Sequence, residues 1–542
     1  MKKNIIIITA VFLLTGFINA QQISSPQDYK LSNQEFKIYQ SGEFDKKTLT
    51  VTANPVKSKY PISNSVIRMI TVGDTVWFQT GSGLMRTTDH FGSFENYYGV
   101  EPFGTEDISG LAVLNNVIVV STLKLEELNN ESVQTGTGIK ISTDYGIHWN
   151  SFPQPVDGRY DTVLTYGSNQ ISVLPMVVPQ QNVSFDIAIT RTKNDLNNYT
   201  IWIASWGGSL RKSTDYGNTW QRVLLPPDNL DSIDVNQSGY TFALHVLNNK
   251  NQTPFSVKAL NDSTIFVGTA NGINKSTDWG LSWRKYNYQN TGPGVRKVSG
   301  DWVVNLHIQN AGGKDIIWGA CKRAEDNNEI NAISYSTNGG YNWAYTLKDI
   351  NPRNVSSKDS TVFAESDEGL WRSKFGSFEW TKPGLIYDEI TKDVVRTSNF
   401  YSGIYLNDTL YLGSADGICR TIDNGISWSG KWKIFRAIKA IDLNSDKKTY
   451  AAPNPFAPNY EVVRIFYKTG KPTSKITIKI FDFGMSPVRT VIQNAVRNSA
   501  DELFTIWDGK NNEGYQVANG VYFYRIEVDS DTPVWGKLLV IQ

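Results

Sequence analysis

The residues in this chain that could do chemistry are acids and aromatics in the stretches between strand-like runs. Asp157, Asp161, Asp228, Asp231, Asp301, Glu325, Asp367, Glu368 and Asp416 offer carboxylates that, paired across a cleft, would supply the acid and base of a hydrolytic step. Trp206, in Ser205-Trp-Gly-Gly208, and Tyr160, Tyr240 and Trp302 are loop aromatics whose rings could stack on a sugar or anchor a protein partner, and they are the candidate ligand-binding residues. Other chemistries lack their residues. The four His are scattered, and Cys321 and Cys419 have no metal-ligand spacing and are expected as buried free thiols. No Ser/His/Asp arrangement or phosphate-cradling Gly loop stands out. No catalytic residue is assigned, and neither a cofactor nor a metal is expected.

A different set of acids recurs at a fixed spacing. Ser142-Thr-Asp144-Tyr-Gly146-Ile-His-Trp149, Ser213-Thr-Asp215-Tyr-Gly217-Asn-Thr-Trp220 and Ser276-Thr-Asp278-Trp-Gly280-Leu-Ser-Trp283 are copies of S-x-D-x-G-x-x-W. Near copies start at Ser336, with Asn338 in the acid's place, and at Thr421, with Asp423. Two degenerate copies complete the set: Thr87-Thr-Asp89-His-Phe-Gly92-Ser-Phe94, read as one residue too long between Asp and Gly, and Ser373 to Trp380, which lacks the Asp. In each box the Asp or Asn oxygen is expected to accept bonds from backbone N–H groups about two residues on, while Gly supplies positive φ and the aromatic starts the next strand. Asp89, Asp144, Asp215, Asp278, Asn338 and Asp423 therefore read as structural.

The elements that carry these boxes are short strands. Runs such as Val76 to Leu84, Ile265 to Ile273, Val362 to Leu370 and Leu410 to Ile418 precede a box, with one strand before them and one after it. Four antiparallel strands make one propeller blade, and seven boxes predict seven blades. The box starts at 87, 142, 213, 276, 336, 373 and 421 are mostly farther apart than the roughly 40 to 45 residues of a blade, so the surplus is loop. Leu123 to Thr137, Pro153 to Asn182, Leu224 to Pro254, Asn287 to Gly300 and Lys322 to Asn331 are all expected on the face opposite the boxes, a wall of loops on a rigid frame.

The ends of the chain differ from the repeats. Residues 1–20 have two Lys, an apolar run from Ile5 to Ile18 and a small-residue close at Ala20, the pattern of a secretory signal peptide. No later run approaches the roughly 20 apolar residues of a spanning helix, so no transmembrane segment is expected. Beyond 435 a linker (436–450) leads to strand-like runs at Val462 to Tyr467, Lys475 to Phe481 and Ala518 to Tyr524, where Ile476, Ile478 and Ile480 alternate with Lys475, Thr477 and Lys479. That alternation marks a sheet with one buried face. The expected organisation is a signal peptide (1–20), an N-terminal segment (21–60), a propeller (61–435), the linker and an immunoglobulin-like β-sandwich (451–542), all-β throughout. Lys+Arg 53 against Asp+Glu 52 gives a net charge of +1, which makes nucleic acid an unsuited partner.

The boxes resemble the Asp-box, or BNR, repeat of sialidases, xyloglucan-hydrolysing propellers, sortilin-type receptors and photosystem assembly factors, over Ser63 to Trp432. The C-terminal phrases Ala452-Pro-Asn-Pro-Phe456, Trp507-Asp-Gly509 and Asn519-Gly-Val-Tyr-Phe-Tyr524 resemble the FlgD-like immunoglobulin domain and the sorting domains of type IX secretion. The first resemblance implies the propeller and leaves the activity open. A sialidase would carry an R-I-P phrase in its first blade, where this chain reads Val66-Ile67-Arg68-Met69-Ile70; a xyloglucan hydrolase would use a cleft between two propellers, and one is expected here. The expectation is a secreted or outer-surface binding or scaffold protein, with a protein or polysaccharide partner at the cell envelope and the C-terminal domain serving sorting through type IX machinery or attachment. The alternative is a glycoside hydrolase.

Overall fold

The computed structural model describes residues 49–542 except 129–130, 247, 423–427, 429, 438–447, 460, 501 and 542. The expected signal peptide and Asp423 lie outside the described residues. The described residues are all-β apart from one 3-10 turn at Lys250–Gln252. No helix among the described residues is long and apolar enough to cross a membrane.

Among the described residues, seven antiparallel sheets follow one another along the chain, with first strands Val66–Val72, Asp107–Leu114, Ser184–Thr192, Pro254–Ala259, Trp302–Ala311, Pro352–Lys358 and Phe400–Leu406. Each first strand packs beside the next, and Phe400–Leu406 packs back onto Val66–Val72, which closes a ring. Every first strand carries a bulge one or two residues after it begins to pair. A bulge bends a strand and sharpens its twist, and its recurrence puts the same bend at one end of every sheet.

Successive strands of a sheet pair as hairpins, with large apolar side chains facing the neighbouring sheets. Trp149, Trp202 and Trp318 are fully buried between sheets. The sixth sheet has three strands, Pro352–Lys358, Thr361–Ser366 and Gly369–Lys374, and only the bridge from Arg372 to Thr381 stands where others have a fourth. Its box is the copy without an Asp. The residues before the ring are not a separate segment throughout: Leu49–Thr52 pairs with His148–Phe152 and Val56–Ser58 with Phe94–Asn96, adding an outer strand to the second and first sheets.

The C-terminal residues form two further sheets, Thr449–Ala452 with Val463–Lys468 and Glu502–Trp507, and Pro487–Arg497 with Ser474–Phe481, Gly520–Val528 and Val534–Val540. They share one core of Ile465, Ile476, Ile478, Ile480, Trp507, Tyr524 and Leu538. The three isoleucines point inward as their alternation required.

Candidate functional site

The boxes make the same turn each time, but through a longer reach than the sequence suggested. The acid's oxygen accepts the backbone N–H four residues on: His148 to Asp144 at 2.9 Å, Thr219 to Asp215 at 2.9 Å, Ser282 to Asp278 at 2.8 Å, Asn342 to Asn338 at 2.9 Å and Ser93 to Asp89 at 2.9 Å. The leading Ser has a role of its own, because its hydroxyl receives the Gly N–H at 2.8 to 2.9 Å in four boxes and donates to the acid. Trp149, Trp283 and Trp343 close the turn by donating their indole N–H to the Gly carbonyl at 3.1 Å. Hydrogen bonds from Ser93 hold the Asp89 carboxyl down at about 2. Partial burial opposes ionisation at Asp144 and Asp215, yet the bonds from their own turns keep both below the ordinary range. Each of these acids is engaged by its own turn.

The first box is not one residue too long. Phe91, at φ +67°, stands where the other boxes have Gly, and its N–H bonds Thr87 Oγ1. The reason lies in the neighbouring sheet. A Cβ on Gly146 would meet the Trp77 ring at 2.6 Å, one on Gly280 the Trp202 ring at 2.6 Å, and one on Gly340 the Phe266 ring at 2.6 Å. In the first box the preceding sheet presents Tyr411, and the Phe91 ring stacks on it at 3.9 Å.

The opposite face carries the insertions, and they bond to one another. Gly136 donates to Pro179 O and Gln181 to Gln134 O, joining Leu123–Thr137 to Pro153–Asn182. Val173 and Leu244 pair in parallel, joining that connection to Leu224–Pro254. Lys250 pairs with Glu325, and Gln289 donates to Asp326 at 2.8 Å. One part of the expected wall is corrected. The sheet Val163–Tyr166, Asn169–Val173 and Ala243–Leu244 runs down the outer rim, where Tyr166 Oη donates to Leu281 O at 2.8 Å and Val235 N to Ser282 Oγ at 3.2 Å. Leu281 and Ser282 belong to a box, so these insertions span both faces. Strand pairing between two remote connections, invisible in their spacing, pulls them there.

The four aromatics are placed differently from one another. Trp206 is 3% exposed, stacked on Phe255 at 5.2 Å and packed near Trp302, so its ring is not presented to solvent. Trp302 is half-buried and stacks on Phe255 at 4.9 Å. Tyr240 packs on Tyr166 in the rim sheet, and its hydroxyl takes the Asp234 N–H. Tyr160 is 88% exposed at the tip of a turn closed by Gly158 N and Asp161 Oδ2.

The nine acids each have a partner. Asp157 pairs with Arg211 and Arg222; Asp228 takes the N–H groups of Lys250 and Asn251; Asp231 takes Asn290. Asp367 pairs with Arg353, Glu368 takes Asn351 N, and Asp416 holds Arg436. Asp301 is the perturbed one. Burial pushes its carboxyl up to about 7, against the Tyr288 N–H that it accepts, and Glu329 adds like charge. Arg68 bonds the fully buried Asp186 at 2.5 Å, which Lys258 also holds at 2.9 Å, so its charge is met by a neighbouring sheet. Both thiols are buried and free, and burial pushes Cys321 up to about 12.

Two cavities bear on these regions. One of about 510 Å³ lies beside the Lys322–Asn331 insertion and is lined by Arg323, Glu329, Asn331, Asp349, Asn351 and Glu368. The other, of about 550 Å³, lies between the ring and the C-terminal sheets, with Tyr60, Phe91, Arg396, Arg436, Phe466 and Phe504 among its walls. Sequence reading missed this second region. There Arg464 bonds Asp393 Oδ1 at 2.6 Å, Arg436 bonds the same oxygen at 2.9 Å, and Glu461 pairs with Arg396. Charged residues far apart in sequence gave no local signal for it.

No protein-family model matches the chain. It is 33% identical over 98 residues to the xyloglucanase Xgh74A of Acetivibrio thermocellus, which is 18% of this chain and 11% of that enzyme. The chain thus spans about a tenth of that relative's length. Among solved structures it is similar to PorZ, a surface component of the type-IX secretion system of Porphyromonas gingivalis (TM-score 0.33, 14% identity, 88% of this chain and 66% of that one). It is also similar to the GH74 xyloglucanase of Xanthomonas campestris (TM-score 0.44, 10% identity, 90% and 75%) and to YCF48 bound to D1 peptide (TM-score 0.39, 12% identity, 75% and 99%). The fold itself rests on strand order. With its antiparallel sheets in chain order and their first strands closed into a ring, the chain is a β-propeller.

Proposed function

We propose that this chain is an exported binding or scaffold protein, a seven-bladed Asp-box propeller whose insertion-bearing face holds a protein or polysaccharide of the cell envelope. Its C-terminal sheets are, in this reading, a FlgD-like immunoglobulin sandwich that serves type IX sorting or surface attachment after removal of residues 1–20. The observation that carries the binding reading is the engagement of every candidate acid by a backbone N–H, a side-chain amide or a cation, within loops bonded to one another. With a net charge of +1, shape and aromatic contact supply the affinity. Of the four aromatic positions, Tyr160 is the one presented to a partner, and the cavity beside Arg323 adds polar groups to the same wall.

The 98-residue stretch shared with a xyloglucanase favours the second reading, glycoside hydrolysis. One experiment separates the two: the purified chain from residue 21 is screened on a glycan array and against xyloglucan and sialosides for reducing-end release. Retention on a glycan or envelope protein without turnover supports binding. Turnover that disappears with Glu368→Gln or Asp301→Asn replaces it with hydrolysis.

A further inference from the structure

The two C-terminal sheets each present an arginine over aromatic rings on their outward face. On the smaller sheet Tyr450 stacks on Phe466 at 4.5 Å, Phe466 lies 5.5 Å from Phe504, and the Arg464 guanidinium sits 5.5 Å from the Phe504 ring. This face is covered: Ala452, Pro453, Arg464, Phe466 and Phe504 line the cavity against the ring, and Arg464 reaches the Asp393 carboxylate at 2.6 Å. On the larger sheet Phe481 lies 5.4 Å from Trp535, Phe483 lies 6.3 Å from Phe523, and the Arg525 guanidinium sits 5.8 Å from Phe481 and 5.6 Å from Trp535. Nothing among the described residues covers this second face, where Phe483 is 76% and Trp535 43% exposed.

The strand register sets two rows of side chains across the second face. Phe481 pairs with Phe523 and Phe523 with Lys537; Lys479 pairs with Arg525 and Arg525 with Trp535. One row across the three strands is therefore ring, ring, cation and the next is cation, cation, ring, so each strand carries one ring beside one cation, and the strands lie about 4.8 Å apart. Rings of this kind, half-buried at Phe481 and Phe523 and open at Trp535, offer apolar surface to the CH face of a sugar ring, and the strand spacing is about that of successive sugars in a chain. Interleaved cations favour an acidic group on each or every other unit. On the covered twin face such an arginine takes the Asp393 carboxylate, and on the open face Arg525 is held by Glu527, which leaves Lys479 and Lys537 as the cations open to a ligand.

We propose that the outward face of Ser474–Phe481, Gly520–Val528 and Val534–Val540 is a binding platform for an acidic polysaccharide, independent of the propeller face. The rings of Phe481, Phe523 and Trp535 stack on the sugars while Lys479 and Lys537 meet their carboxylates, with Arg525 held between the rings by Glu527. Affinity electrophoresis of the chain from residue 21 through gels containing polygalacturonate tests this. Retardation is expected in polygalacturonate and not in neutral xyloglucan, reduced at least tenfold in apparent affinity by Trp535→Ala and by Lys537→Glu with melting temperature unchanged, and untouched by Tyr160→Ala. Absence of retardation overturns the platform. So does retardation that Trp535→Ala and Phe523→Ala leave intact, equal retardation by neutral xyloglucan, or equal retardation by single-stranded DNA, which would mark a plain polyanion effect.

Discussion

The two ends of the ring join neighbouring sheets by different rules. At the box end the residue types repeat: a Gly approaches an aromatic of the preceding sheet, Gly146 at Trp77, Gly280 at Trp202 and Gly340 at Phe266. At the other end the geometry repeats and the residue types do not. There the residue opposite the bulge meets the carbonyl that precedes the next sheet's bulge. Gln79 Nε2 donates to Ile108 O at 2.8 Å and Ser121 Oγ to Ser184 O at 2.8 Å, whereas Gly268 and Gly413 simply leave room for Val303 O and Val66 O. A turn that must satisfy its own backbone restricts its residues; a contact to one carbonyl can be made or avoided in several ways. The face free to vary is also the one that carries most of the insertions.

The largest effect should come from breaking the box-end rule where it is already bent. Phe91 replaces the box Gly and stacks on Tyr411 across the seam between the last and first sheets. Phe91→Ala removes a buried ring from that seam and keeps the positive φ, so a loss of about 4 kcal/mol is expected in chemical denaturation. A loss under about 1 kcal/mol would mean that the ring closes without this contact.

The other end holds a sharper test in Glu365, the sixth sheet's counterpart of Gln79. Its carboxyl is fully buried, Oε1 takes the Ser356 hydroxyl, Oε2 has no partner, and burial pushes it up to about 8. The carbonyl equivalent to Ile108 O is here that of Phe400, and a carboxyl can bond a carbonyl only when protonated. With its folded value raised, the group's contribution is complete below the ordinary Glu value near 4.5 and is lost as pH rises through about 8. Glu365→Gln, which copies Gln79, should therefore remove this pH dependence and stabilise the protein by about 2 kcal/mol at pH 9. Parallel melting curves of the two proteins from pH 5 to 9 would rule the idea out.

What the sequence disclosed follows the same division. The boxes were legible because a self-contained turn needs its Ser, Asp, Gly and Trp at fixed positions. Even so, Gly92 beside Phe91 disguised the first box, since which residue takes positive φ depends on the ring of another sheet. The alternating Ile476, Ile478 and Ile480 marked the C-terminal core. The rim sheet and the burial of Trp206 stayed hidden because they arise from pairing between Val173 and Leu244, and from packing on Phe255. The contacts of Arg464 with Asp393 and of Glu461 with Arg396 were hidden for the same reason.

A smaller effect is expected from the box acids themselves. Asp215→Ala deletes one acceptor of the Thr219 N–H on a solvent-facing turn, so the loss should be about 1 kcal/mol, the net worth of such a bond, with partner binding unchanged. Reduced binding at full stability would place function on the box face and undo the contrast between the two ends.

The smallest effect on stability, and the one that bears most on function, is expected at Tyr160. Its ring is 88% exposed and makes no part of any core, while the turn beneath it is held by Gly158 N and Asp161 Oδ2, and the adjoining Asp157 is fixed by Arg211 and Arg222. Removing the ring should leave the turn in place, so Tyr160→Ala should change stability by less than about 0.5 kcal/mol. An exposed Tyr on a rigid support loses little entropy when a partner covers it, which is why such residues concentrate binding energy at interfaces. If the insertion wall is the contact surface, the same variant should weaken partner binding about tenfold in calorimetry, while Ile147→Ala, exposed on a box turn, should not. Equal losses from both would show that the partner does not distinguish the two ends, and a loss from Ile147→Ala alone would move the contact to the box face.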